Sequence, residues 1–216
     1  MDAGAAIALS VVFATLFLSV FILIRYVVKN AKAIKETQRF LSDKELIEFI
    51  NEQPDKMVHW KDLVEKFSLK PFEAKARIRQ LYTYGIVQVL RTRNGLNAYY
   101  TLIRPIDKEY DLNLTDDPFM TVEDLMLIFK HFDYQVSLQE LCLVTGLPIK
   151  IILEEMKYFE KEKVVKGLLK TIIGGISSQR IYTLQEPYRS NPDGFLKLKD
   201  ANFELKEIYE KVKKKA

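Results

Sequence analysis

Residues 68–102 read SLKPFEAKARIRQLYTYGIVQVLRTRNGLNAYYTL. The order is a helix, a tight stop and a two-stranded hairpin. Pro71 suits a first helical turn, where its missing N–H costs nothing. Ala74, Ile78 and Leu81 follow at i, i+4, i+7 as one apolar stripe. Gly85 ends the helix, since glycine enters the left-handed conformation without a Cβ penalty. Ile86, Val87 and Val89 open a strand, and residues 98–102 return as its partner. Asn94-Gly95 between them predicts a type I′ turn, which needs positive φ at both central residues.

Upstream, residues 61–67 and 43–51 predict two further helices. Leu46, Phe49 and Ile50 are the core positions of the first of them along the chain, and Trp60 and Leu63 start the second. The run DLVEKFSLKPFEAKARIRQLYTYGIV resembles the second and third helices of the winged-helix superfamily, and RTRNG sits where the wing tip of that family falls. The resemblance covers residues 43–102 and rests on pattern rather than on an invariant motif. It implies a domain that binds DNA or, in other members, only protein; fold alone does not choose between them.

With the apolar stripe facing the core, 100° per residue puts Phe72, Ala76, Arg79, Gln80 and Thr83 on the opposite face, with Lys75 on the flank. Arg and Gln can each form paired hydrogen bonds to a base edge, while Lys and Thr suit phosphates. From residue 66 to 102 the bases Lys66, Lys70, Lys75, Arg77, Arg79, Arg91 and Arg93 stand against one acid, Glu73. The expected DNA surface is therefore Lys70, Lys75, Arg79, Gln80, Thr83, Arg91, Arg93 and Asn94. A merely solvated charged face is the plain alternative.

The pattern repeats. Val58, Leu63, Leu69, Ala74, Ile78 and Leu81 recur 78 positions later as Val136, Leu141, Leu147, Ile152, Met156 and Phe159. Tyr100 to Leu102 recurs as Tyr182 to Leu184, an offset of 82, which predicts a second wing about four residues longer with Gly174-Gly175 near its tip. Residues 121–186 thus resemble a second winged helix. Its third helix replaces Lys75, Ala76 and Arg79 by Leu153, Glu154 and Lys157, and Phe72 by Lys150. An exposed leucine beside a glutamate suits protein better than phosphate. Lys150, Leu153, Glu154 and Lys157 are accordingly the expected protein contacts, self-association included.

Before the first repeat, residues 3–24 are uncharged and almost wholly apolar. At 1.5 Å rise they reach about 33 Å, the thickness of a bilayer's hydrocarbon core. Arg25, Lys29, Lys32, Lys35 and Arg39 follow, predicting an N-terminus outside and the remaining chain in the cytoplasm of a single-pass protein of the cell membrane. A cleavable signal would want positive charge before the apolar run, a shorter core and a small-residue exit, so a permanent anchor is expected. Ala6, Ser10 and Ala14 share one helix face. They allow a close contact between two membrane helices, or are simply the small residues common there. Residues 25–40 predict a basic helix that holds the anchor against anionic lipid.

Residues 105–120, with Pro105, Pro118 and five acids, predict a linker between repeats at 41–104 and 121–186. After 186 come a turn cluster and an amphipathic helix at 200–215, closing a final segment 187–216. The expected class is α+β: a transmembrane helix, two winged helices and a C-terminal helix.

Of the 216 residues, 48% are hydrophobic and 29% charged, which is globular composition. A net charge of +4 supports no global polyelectrolyte argument. Cys142 alone excludes an internal disulfide, and with His59 and His131 it makes no Cys/His zinc site. Cys142 reads as a small core hydrophobe. Phosphate-loop, dinucleotide and nucleophile-elbow motifs are missing, so no catalytic residue, metal ligand, cofactor or small-molecule substrate is assigned. The expected function is a membrane-anchored DNA-binding regulator, with double-stranded DNA held by the first repeat and protein by the second. The alternative is a membrane-anchored adaptor that uses both repeats for protein contacts.

Overall fold

The computed structural model describes residues 3–106, 110, 112–171, 178–191 and 193–194, with side chains from residue 12 onward. It is α+β. Among the described residues, α1 (Ala3–Thr37) precedes two units with the same order of elements. The first is α2 (Asp43–Glu52), β1 (Met57–Val58), α3 (Trp60–Phe67), α4 (Pro71–Thr83), β2 (Val87–Arg91) and β3 (Ala98–Leu102). The second is α5 (Val122–His131), β4 (Gln135–Ser137), α6 (Leu138–Thr145), α7 (Ile149–Lys161), β5 (Val165–Thr171) and β6 (Ser178–Leu184). Each closes with a three-stranded antiparallel sheet in which the last strand is central: β1-β3-β2 and β4-β6-β5.

The helices start where the sequence supplies acceptors for their free N–H groups. Ser42, Thr121 and Ser137 each accept a bond from a backbone N–H three residues on. Glu45, Asp124 and Glu140 return the bond to the capping residue's own N–H. The Ser42 N–H, then its hydroxyl, holds the Glu45 carboxyl below its ordinary range. In α3 the cap is His59, whose Nδ1 accepts from Lys61 N–H at 3.3 Å. Burial, ahead of the attraction of Asp62, moves the His59 imidazole down.

The internal repeat is real at the level of elements. The bounds of α3 and α4 recur 78 positions on in α6 and α7, and all six paired apolar positions are buried. The end of β6 lies 82 positions after that of β3, as the longer hairpin requires. Two-residue β1 carries too little sequence to be foreseen, and only its pairing with β3 defines it.

The first hairpin departs from expectation. Residues 92–97 connect its strands, and among the turn residues only Gly95 has positive φ, +70°. Gly95 N–H donates to Thr92 C=O at 2.8 Å, and Asn94 Oδ1 accepts from Leu96 N–H at 3.2 Å. The side chain of Asn94 thus closes an Asx-type turn, and a type I′ turn is not formed.

The two units share one hydrophobic core, and described residues of the expected linker pack on it. In 105–120, Ile106, Tyr110, Leu112 and Leu114 pack against that core, and Met120 is buried. Asn51 exchanges two hydrogen bonds with the Ile106 backbone, and Thr115 bonds Asp124 through both N–H and hydroxyl. Arg104 pairs with Glu140 at 2.9 Å, and Gln139 Nε2 donates to the Arg104 carbonyl at 2.7 Å. Gly85, at φ +67°, lies so near the second hairpin that a Cβ there would run into the Ser178 carbonyl. The side chains of Ala6 and Ser10, the tip at Gly174-Gly175 and the expected helix at 200–215 lie outside the described residues.

Candidate functional site

The third helix of the first unit was expected to present its outer face to a groove of DNA. The middle of that face is covered, at Ala76 and Gln80, while Arg79 and Thr83 stay exposed beside it. Helix α1 continues without a break past its apolar run and packs across α4. Each helix brings one buried alanine to the contact, Ala33 and Ala76. A small residue at the centre of the α4 face is what lets another helix approach, so the feature read as part of a DNA surface is a seat for α1.

Around the alanines two cations cross the contact onto aromatic faces, and two more stand on a ring of α3 or of α1 itself. Lys29 Nζ lies 4.6 Å from the centre of the Phe72 ring, and Arg79 Cζ lies 5.5 Å from that of Tyr26. Lys75 Nζ stands 4.3 Å over Trp60, and Arg25 Cζ 5.5 Å over Phe21. Such contacts need no carboxylate and are worth about 0.5–1 kcal/mol each when exposed.

The expected DNA residues therefore part company. Gln80 is buried, which corrects its assignment as a base reader. It lines a cavity of about 450 Å³ with Ala31, Ile34, Lys35, Gln38, Tyr84 and Lys150. Arg79 keeps an exposed residue surface although it leans on Tyr26, and Thr83 is exposed. Lys70 is 84% exposed and pairs with Glu73 at 3.8 Å. Arg91, Arg93 and Asn94 lie exposed on the hairpin, with Asn94 Oδ1 engaged in the turn.

Arg77, counted in the basic run, has no surface role. Its side chain is fully buried and its Nη2 lies 2.9 Å from Asp43 Oδ1 and 2.9 Å from the Leu41 carbonyl. Desolvation lowers the guanidinium pKa, against the opposing pull of Asp43. Asp43 Oδ2 accepts from Gln38 Nε2 at 3.0 Å and from Ile149 N–H at 2.9 Å. One carboxylate so joins the end of α1, the start of α2, the middle of α4 and the N-terminus of α7, whose own N-cap, Pro148, offers no side-chain acceptor. Beside it Cys142 is fully buried, and burial pushes its thiol well above the usual range, as suits an inert core residue. The sequence carried a partial signal: Arg77 lies between Ala74 and Leu81 on the flank of the core stripe.

In the second unit Lys150 pairs with Glu154 at 3.8 Å, and Lys157 is exposed. Leu153 is half-buried against the core, which corrects its reading as a fully exposed contact. Large exposed side chains lie elsewhere, on β5, an edge strand among the described residues, at Leu168 and Leu169.

The part of α1 whose side chains are described, Val12–Thr37, is long and apolar enough to cross a membrane, and its apolar window is not buried within the protein. No protein-family model and no curated protein matches the chain.

Proposed function

We propose that this chain is a non-enzymatic adaptor of the cell membrane. On this reading residues 3–24 form a single-pass anchor with the N-terminus outside. Two winged helices form a protein-binding platform on the cytoplasmic side. The order helix–strand–helix–helix–strand–strand, with the last strand central in each sheet, supports the winged-helix reading of both units. The basic residues that follow the apolar run support the orientation.

The single observation that carries the adaptor over the DNA-binding regulator is the packing of α1 across α4, with Ala76 and Gln80 buried beneath it. A recognition helix must lay its outer face in the major groove, and here that place is taken. The regulator reading keeps the exposed residues around that covered middle, Lys70, Lys75, Arg79, Thr83, Arg91, Arg93 and Asn94. Protein contacts are assigned to the second unit, at Glu154 and Lys157 and along β5 at Leu168 and Leu169, where self-association or a partner subunit would bury apolar surface.

The test is a titration of the full-length protein, in neutral detergent, against random-sequence duplex DNA at low and moderate salt. The adaptor reading expects no salt-sensitive binding. A steep fall of affinity with salt would overturn it and reinstate the regulator.

A further inference from the structure

The geometry points to a lipid-headgroup surface on α4: the edge carrying Lys75 and Arg79, together with Arg25 and Lys29 of α1, lies against the phosphates of anionic phospholipids where the anchor leaves the bilayer. This rests on α1 being the membrane span.

The direction of that edge follows from the contacts. Along α4, Phe72, Ala76 and Gln80 repeat at i, i+4, i+8 beneath α1, while Lys75, Arg79 and Tyr82 repeat at i, i+4, i+7 along the neighbouring edge. Tyr26, close to the end of the apolar run, meets Arg79. Ala31, Ile34 and Gln38, further along α1, face Gln80 and Tyr84. Stepping from the Gln80 row to the Arg79 row therefore goes back along α1 toward the membrane. Tyr26 and Lys29 lie about 3 and 7.5 Å beyond Ile24 along the helix axis. The headgroup layer is roughly 5–7.5 Å deep on each side. Arg79 and Phe72, held by these two residues, stand at that depth.

The chemistry of the edge agrees. Arg25, Lys29, Lys75 and Arg79 form no ion pair among the described residues, and each stands on an aromatic ring. Their charges remain free for phosphate. The acids on the two helices are turned to other cations: Glu36 to Lys32 at 3.7 Å and Glu73 to Lys70 at 3.8 Å. Tyr26 and Trp60 are the amphipathic aromatics that favour the membrane–water interface. The exposed edge of α4 beside α1 is thus turned to a polyanion, the leaflet itself.

Trp60 is the only tryptophan in the chain and lies under Lys75, so it reports on this edge directly. The full-length protein is reconstituted in vesicles of phosphatidylcholine alone or mixed equally with phosphatidylglycerol, each with or without a headgroup spin label. Trp60 fluorescence should be quenched in the mixed vesicles. Lys75→Gln with Arg79→Gln should reduce docking by about fivefold per cation and bring quenching toward the level in phosphatidylcholine. Both side chains are exposed and each loses one cation–π contact, so melting of the double variant should fall only slightly. An unquenched Trp60 in protein that resists carbonate extraction overturns the inference alone; extraction by carbonate removes the anchor and the inference with it. Relief of quenching by added duplex DNA would mark the edge as a nucleic-acid surface and also overturn the proposal.

Discussion

Replacing Asp43 by alanine should nearly unfold the protein, although position 43 lies at the start of a helix, where substitutions are usually mild. Asp43 and Arg77 are both 0% exposed in their side chains, 2.9 Å apart. Removing one member of a buried pair leaves the other charge uncompensated, at a cost of about 3–5 kcal/mol. Asp43 also accepts from Ile149 N–H, and losing a helix cap costs about 0.5–2 kcal/mol more. The expected loss, about 3.5–7 kcal/mol, compares with a total stability of about 5–15 kcal/mol for a typical domain. Guanidinium unfolding of the full chain in detergent, followed by Trp60 fluorescence, measures it. Asp43→Asn keeps an acceptor for Ile149 and Gln38 but not the charge, and should fall between. Asp43→Ala combined with Arg77→Met removes both charges and should recover most of the pair's share. A loss below about 1 kcal/mol for Asp43→Ala, or a double variant as unstable as the sum of its singles, would refute the view that this buried pair holds the fold together.

Gly85→Ala should cost more than the roughly 1–2 kcal/mol of left-handed strain, because the added Cβ meets the Ser178 carbonyl; the melting temperature of the variant checks this. Ala76→Leu should wedge α1 from α4 at a cost of about 1–3 kcal/mol and expose residues 26–37 to limited proteolysis, with unchanged cleavage as the contrary result. Burial raises the Asp124 carboxyl pKa, but bonds from Thr115 and Thr121 outweigh it and bring it below the ordinary 3.8. Its folded value being the lower one, the stability it contributes is complete above 3.8 and is lost as pH falls below that toward the folded value. Asp124→Asn should therefore cost about 1–2 kcal/mol at pH 7 and flatten the acid limb of the stability–pH curve.

The sequence alone determined what depends on neighbours along the chain. Pro71 and Gly85 bounded α4, the apolar stripe of Ala74, Ile78 and Leu81 chose its inner face, and the 78-residue offset aligned the two units. Local backbone preference and helical period are written in short windows, so these were legible. The apolar run of α1 was legible for the same reason, since span length is a local property. The face opposite the core was not. Periodicity says which side of α4 meets its own unit, but it carries no information about a second helix arriving from about 40 residues upstream. Thus Ala76 and Gln80 passed for surface until α1 covered them. Arg77 misled for a related reason. A charge on the edge of a stripe is soluble by default, and only a carboxylate brought 34 positions along the chain, Asp43, lets it be buried. Charge composition counted Arg77 as part of a phosphate-binding run. The tertiary structure decided which cations face outward, because burial of a charge depends on whether a distant partner reaches it, and no window of sequence contains that partner.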